Sequence, residues 1–287
     1  MSWVDQKWPL PGFNVLHKQA QSAVAENYIS CHACGALLLK ADFEAAHKVC
    51  AVCQYHHILS AHERLLSLVA NAPVEILGDC LQSHDYLDFS DFLPYAERLQ
   101  AAQKNTGLTE AVVTAVTTIS GQAVVLSIFD FRFIGGSLGA VAGERVVLGI
   151  QTAIARKCPF ICVTASGGAR MQEGLLALMQ MAKMTTAVRR LQETRLPFIN
   201  VLTHPTFGGV SASIAMQADI ILAEQGAHIG FTGARVIANA MPQALPKGFQ
   251  TAEFLCEHGC IDAVVSRQDL PGYLSRLMRK LLCNQGK

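Results

Sequence analysis

Four cysteines form two CxxC pairs, Cys31-His-Ala-Cys34 and Cys50-Ala-Val-Cys53, separated by 15 residues. That spacing suits two knuckle turns closing one tetrahedral four-thiolate site, the arrangement of a structural zinc, one per chain. Four thiolates fill the coordination shell and leave no open position, so the metal is expected to hold the fold rather than do chemistry. His32, His47, His56 and His57 lie nearby and are expected at the surface, because the cysteine set is already complete. The other cysteines, Cys80, Cys158, Cys162, Cys256, Cys260 and Cys283, read as free thiols, with Cys256–Cys260 at a helix end rather than in a second metal cluster.

The second group of residues with chemical potential is made of glycines. Gly167-Gly168 and Gly208-Gly209 each follow an apolar run and precede a helix pattern. Glycine lets backbone N–H groups approach a ligand, and two such donors at a helix start can hold a developing oxyanion. Each pair taken singly reads first as a tight turn; two pairs in matched contexts shift the balance modestly toward oxyanion binding. No side-chain acid or base stands out: Glu173 opens a helix, where a carboxylate suits the positive end, and His204 is a lone loop histidine. Arg170 and Arg235 flank glycine turns and could meet a phosphate, though each taken singly reads first as a structural or surface arginine. There is no G-x-G-x-x-G after a strand, no P-loop lysine and no G-x-S-x-G elbow.

These loops need a scaffold. Val112–Ile119 and Gln122–Phe129 are β-rich runs split by Ser120-Gly121, a hairpin signal. A glycine-rich stretch, Ile134–Ala140, leads to a helix over Val141–Arg156. Phe160–Thr164 feeds the first glycine pair and a long helix to Gln192; Phe198–Thr203 feeds the second pair and a short helix. Further strands are expected at Asp219–Ala223, His228–Phe231 and Ala263–Val265, with helices at Ala61–Ala70, Ala252–His258 and Leu270–Leu282. Strand–helix alternation argues an α/β fold. The domain reading is a tail over 1–27, a zinc ribbon over 28–58 and a catalytic domain over 59–287.

Of the 287 residues, 51% are hydrophobic and 16% charged, and net charge is +1. Such a chain buries a large core and has apolar surface to spare for a partner. It lacks the broad charge footprint of a nucleic-acid binder, and it shows no signal peptide and no apolar run of about 18 residues. A cytoplasmic protein without membrane association is expected.

Taken together, several stretches resemble the β-subunit family of acetyl-CoA carboxylase carboxyltransferase. They are Cys31–Cys53, Phe133–Gly139, Ala165-Ser-Gly-Gly-Ala-Arg-Met-Gln-Glu173, Leu178–Lys183, Pro205-Thr-Phe-Gly-Gly-Val-Ser-Ala-Ser213, Ile229–Gly233 and Leu245–Gln250. The combination is specific, because related crotonase-type enzymes lack the zinc ribbon. The resemblance implies a crotonase-type ββα spiral and carboxyl transfer from carboxybiotin, carried on a biotin carboxyl carrier protein, to acetyl-CoA. It implies an α subunit supplying the biotin side, an α2β2 heterotetramer, and biotin carboxylase in the larger complex. It assigns oxyanion roles to Gly208 and Gly209, then Gly167 and Gly168, with Gly135 and Gly136 lining the CoA site. His204 stands where relatives often carry Asp, and Ala234 where they often carry Pro. Two other classes compete. A stand-alone crotonase-type acyl-CoA enzyme would want a positioned carboxylate pair, which is not found; a zinc-ribbon nucleic-acid binder would want a basic surface, so nucleic acid is at most a minor partner.

Overall fold

The computed structural model describes residues 27–240 and 245–283; the N-terminal tail read from the sequence lies outside them up to residue 26. The chain divides into two compact units, Met1–His57 and Ile58–Lys287.

In the first unit, β1 (Tyr28–Ser30) and β2 (Leu37–Leu39) pair antiparallel, and α1 (Lys40–Ala45) follows. The two CxxC turns repeat one hydrogen-bond pattern. Gly35 and Gln54 N–H donate to the carbonyls of Cys31 and Cys50, while Cys31 and Cys50 N–H reach Ala36 and Tyr55. Both turns need a left-handed residue, supplied by Gly35 (φ 71°) and by Gln54 (φ 59°). Cys31, Leu38, Phe43 and Cys50 are the buried residues of this small core, too few to hold a fold unaided. His56 and His57 depart from the surface placement expected of them: both are buried. The His57 ring packs edge-on against Phe43 and Tyr55, and its Nε2 lies 3.4 Å from Cys31 Sγ.

In the second unit, β3 (Glu75–Leu77), β4 (Val112–Ile119), β5 (Gln122–Phe129), β6 (Phe160–Ser166), β7 (Phe198–Thr206), β8 (Ile220–Glu224) and β9 (Ala263–Val265) lie in chain order across one sheet. The pairs β3–β4 and β4–β5 are antiparallel; from β5 onward the strands run parallel. The helices are α2 (Ala61–Val69), α3 (Tyr95–Thr106), α4 (Ala140–Arg156), α5 (Gly174–Glu193), α6 (Gly208–Ser211), α7 (Ala234–Ala240), α8 (Ala252–Glu257) and α9 (Leu270–Cys283). Both sheet faces are covered, as parallel strands require. Phe160, Cys162, Phe198 and Leu202 point into the layer of α4 and α5, and Ile161, Val163, Ile199 and Val201 into that of α2 and α9. Alternate residues of a strand face opposite ways, so continuous apolar runs satisfy both layers.

Ser60 and Glu63 close a capping box at the start of α2. Arg64 from that helix and Arg267 after β9 both bind Glu224 at the end of β8, at 2.6 Å and 2.7 Å, with all three side chains buried. The segment expected to be a strand at His228–Phe231 is not one. It makes single bridges, Ile229 to Thr206 and His228 to Thr251, because its neighbours are a strand end and a turn rather than an open edge. The short strand β3 and helix α3 fall in a polar stretch that carries too weak a pattern to announce them. Among the described residues, no helix is long and apolar enough to cross a membrane.

Candidate active site at the glycine loops, and a four-cysteine cluster

Strands β6 and β7 are parallel neighbours, so the loops leaving their C-terminal ends emerge side by side. They touch backbone to backbone. A methyl group on Gly208, whose φ is +61°, would sit 2.9 Å from the Gly168 Cα and 3.3 Å from the Gly167 carbonyl oxygen. No side chain fits at Gly208, while Gly168 is held to glycine by its φ of +129°. The third loop joins them: Gly167 N–H donates to the Gly135 carbonyl at 2.9 Å, and a Cβ on Gly136 would fall 2.0 Å from the Ala165 oxygen. Leu138 N–H to Gly168 O and Arg170 N–H to Leu138 O, each 2.8 Å, complete the weave.

The hydrogen bonds decide which donors remain. Gly167 N–H is taken by Gly135, Gly168 N–H by Ser166 Oγ at 3.0 Å, and Gly208 N–H by the Phe231 carbonyl at 2.9 Å. Three of the four glycines singled out from the sequence, Gly167, Gly168 and Gly208, therefore spend their N–H groups on the loops themselves. Gly209 is different. It lies in the first turn of α6, where no intrahelical acceptor exists, and no acceptor is found for its N–H among the described residues. Ala169 N–H likewise has no acceptor there, and a Cβ on Gly209 would lie 3.5 Å from it. Ala169 was invisible to sequence reasoning; only its place between two glycines and an arginine hinted at a constrained backbone. The side chains bonded to the loop backbone, Ser166, Ser211 and Ser213, are committed to loop carbonyls or loop N–H groups.

Arg170 is buried in a cluster of ion pairs and hydrogen bonds. Its side chain is 0% exposed. Nε donates to Ser137 Oγ at 3.0 Å and Nη2 to the Ser137 carbonyl at 2.9 Å. Both Nη1 and Nη2 grip the Glu110 carboxylate. Nη1 also reaches Tyr95 and Glu173, and Glu173 accepts from Tyr95 Oη at 2.6 Å and from the Ala140 N–H at 2.5 Å. Glu173 thus caps α4, while its side chain makes no capping bond to its own helix. Burial would lower the Arg170 pKa, but Glu110 outweighs it and the guanidinium stays firmly charged. Burial raises the Tyr95 hydroxyl well above the ordinary tyrosine range, keeping it a neutral donor. The cluster ties the loop after β6 to Glu110 before β4 and to Ser137 in the third glycine loop. Arg235 opens α7; its side chain lies outside the described residues.

Around the loops the surface is apolar. Met171, Leu175, Leu178 and Met179 expose between 48% and 70% of their surface at the N-terminal end of α5, and Phe231 and Val236 are 66% and 60% exposed.

In the other unit, the Cys31, Cys34, Cys50 and Cys53 sulfurs all lie within 4.8 Å of one another. A thiolate tetrahedron with arms of about 2.3 Å has sulfur–sulfur edges of about 3.8 Å. The Cys31–Cys53 and Cys34–Cys50 pairs are each 3.8 Å apart, so the donor set fits a tetrahedral soft metal.

Residues 81–253 match the family model of the carboxyl transferase domain. Over 249 residues the chain is 45% identical to the acetyl-coenzyme A carboxylase carboxyl transferase subunit beta of Parasynechococcus marenigrum (strain WH8102), covering 87% of this chain and 85% of that protein. Among solved structures it is similar to transcarboxylase 12S with methylmalonyl-coenzyme A and methylmalonic acid bound (TM-score 0.63, 23% identity, 94% of this chain). The chain spans 47% of that transcarboxylase chain, about half its length. It is also similar to the Pseudomonas malonate decarboxylase MdcD-MdcE hetero-dimer (TM-score 0.57, 23% identity, 76% of this chain and 86% of that one). At these identities the structural likeness speaks for the fold alone, a crotonase-like one.

Proposed function

The chain belongs to the family of acetyl-CoA carboxylase carboxyl transferase β subunits, and from that premise we propose that its glycine loops bind the acetyl-CoA thioester and hold the enolate oxygen formed as the methyl carbon is carboxylated to malonyl-CoA. The observation that carries this reading is the pair of N–H groups on Gly209 and Ala169, close together and without acceptors, where the three loops converge.

Carboxybiotin, borne on a carrier protein, supplies the carboxyl group and takes the methyl proton when it is seated beside the thioester. What this chain's residues do is stabilise charge and exclude water. Two fixed N–H donors lower the energy of the thioester enolate, and removing one such donor costs about 3 kcal/mol in well-measured systems. A preformed site needs no reorganisation as charge develops, and the interlocked loops, braced by Arg170, supply that rigidity. The scarcity of a free acid or base near the loops agrees with a reaction that relies on positioning and oxyanion stabilisation. Gly135, with open space above its α-carbon, remains a candidate to line the acyl-CoA path.

The exposed apolar stripe from Met171 to Met179 is read as the face that meets an α subunit, which brings the biotin side of the site. An α2β2 assembly, the biotin carboxyl carrier protein and biotin carboxylase complete the proposed cytoplasmic complex. The four cysteines are assigned to one zinc of structural role, since the thiolates fill its shell. Residues 28–58 are assigned to the ribbon and 59–287 to the carboxyltransferase domain, with 1–27 as a tail.

The test is malonyl-CoA formation from acetyl-CoA by this chain mixed with an α subunit and carboxylated carrier. Robust turnover that Gly209→Val abolishes in a folded, assembled protein supports the reading; no malonyl-CoA from the complete mixture overturns it.

A further inference from the structure

His204, near the end of β7, and His228, in the segment that crosses beneath the glycine turn, form a close pair. The His228 N–H donates to His204 Nδ1 at 3.3 Å, and the two Nδ1 atoms are 3.3 Å apart. The ring centroids are 5.1 Å apart at 67°. A ring nitrogen that accepts a backbone N–H carries no proton of its own, so His204 is the neutral Nε2–H tautomer. The single Nδ1 lone pair of His204 is directed to that backbone N–H, with the His228 ring nitrogen beside it.

The 228–231 segment is laced to the active-site turn at alternate residues. Thr206 N–H donates to His228 O at 3.0 Å, Gly230 N–H to Thr206 O at 3.1 Å, and Gly208 N–H to Phe231 O at 2.9 Å. Ser211 Oγ bonds to both Gly208 O and Gly230 O at 2.8 Å. Whatever anchors His228 therefore fixes the acceptor that orients Gly208, and with it the N–H of Gly209.

Building on the oxyanion reading above, we propose that His204 is a positioning residue: its neutral ring pins the His228–Phe231 segment and so holds the Gly208–Gly209 turn in its donor-presenting shape. Protonation at Nδ1 removes the acceptor for the His228 backbone N–H and sets an imidazolium against the His228 ring. Charged and titratable groups face His204 from several elements. His228 comes from its own segment, while Arg64 of α2 and Arg267 after β9 line the small pocket behind the ring and share the one carboxylate of Glu224. Burial first and His228 second hold the His204 pKa below the ordinary histidine range. A base whose folded pKa is lowered is protonated more readily in the opened state. The pinned segment is thus fully stable above the ordinary histidine pKa of about 6.5 and loosens as pH falls below it.

Hydrogen exchange on the full chain tests this without reference to turnover. After correction for intrinsic rates, amides over 204–231 should lose about tenfold in protection between pH 7.5 and pH 5.5, the scale of one lost buried hydrogen bond. His204→Asn offers a non-titrating oxygen near the Nδ1 position and should keep protection at both pH values. His204→Ala should show the loosened segment at both. In the assembled enzyme, kcat for malonyl-CoA formation should follow the same order with a smaller change in KM for acetyl-CoA, and the wild-type to Asn ratio cancels every other ionisation. Protection in His204→Ala equal to wild type, or an acid-induced loss in His204→Asn equal to wild type, would overturn the proposal. A wild-type complex without malonyl-CoA formation would instead strike at the functional reading, and the exchange experiment would still decide the role of His204.

Discussion

Arg170 and Glu110 form a two-pronged ion pair, 60 residues apart in sequence, in which neither side chain reaches solvent. Glu110 stands just before β4 and Arg170 just after β6, so the pair clamps the first glycine loop to the antiparallel part of the sheet. Removing one partner leaves an uncompensated buried charge, which typically costs about 3–5 kcal/mol, a large part of a stability margin of roughly 5–15 kcal/mol. Glu110→Gln and Arg170→Met should each lower the urea midpoint sharply, and Arg170→Lys should not restore it, because an ammonium cannot reproduce the fork to Glu110 and Ser137.

The same pair sets an acid limit. Burial pushes the Glu110 carboxyl up, but the Arg170 charge and its hydrogen bonds outweigh burial and hold it below the usual carboxylate range. A lowered carboxyl pKa contributes stability that is present above the unfolded value of about 4.3 and is lost as pH falls through the folded value. Stability measured by denaturant titration should drop below about pH 4.3 in the wild type. In Glu110→Gln that acid slope should be shallower; an unchanged slope would mean other carboxylates dominate it.

Gly208 and Gly209 should fail in different ways. A Cβ on Gly208 meets the Gly168 backbone and needs a left-handed residue, so Gly208→Ala should lower the melting temperature and activity together. A Cβ on Gly209 meets the flexible Met181 Sδ at 3.0 Å and the Ala169 edge, so Gly209→Val should leave a folded protein whose turnover is down by on the order of a hundredfold. Its zinc content and acetyl-CoA binding should change far less. Gly209→Val turning over near the wild-type rate would remove Gly209 from the oxyanion site.

The purified chain should carry about one zinc, bound by Cys31, Cys34, Cys50 and Cys53. Cys31→Ser/Cys50→Ser should lose it. Because the apolar core of this unit is so small, chelation should unfold 28–57 as followed by exchange of the Cys31 and Cys50 turn amides. Stoichiometric zinc in the double mutant would sink the assignment.

Without an α subunit the chain should form negligible malonyl-CoA. Leu175→Glu and Met179→Glu place charge on the exposed apolar stripe and should weaken assembly in sedimentation at concentrations where the wild type is complexed, without lowering the melting temperature of the isolated chain. Unaltered assembly would place the partner elsewhere.

Much of the scaffold was legible in the order of residues. The Ser120-Gly121 turn fixed the hairpin of β4 and β5 at its true boundaries, since a two-residue glycine turn between β-branched runs has few alternatives. The CxxC pairs specified a four-sulfur cluster because each knuckle is local, with its hydrogen bonds closing within five residues. The glycine pairs marked where two loops touch, and at Gly208, left-handed and against the Gly168 backbone, a side chain would clash. What the sequence could not determine was which of those glycine N–H groups stay free. That depends on acceptors at Gly135, Ser166 and Phe231, brought in by the pairing of β6 with β7 and by the segment beneath them. For the same reason Arg170 stood open between a structural and a phosphate-facing role until the fold set Glu110 against it, and His204 read as an idle loop histidine until it met His228. Local turns are decided by neighbours along the chain; the charge state and availability of each polar group are decided by neighbours in space, and only the tertiary structure supplies those.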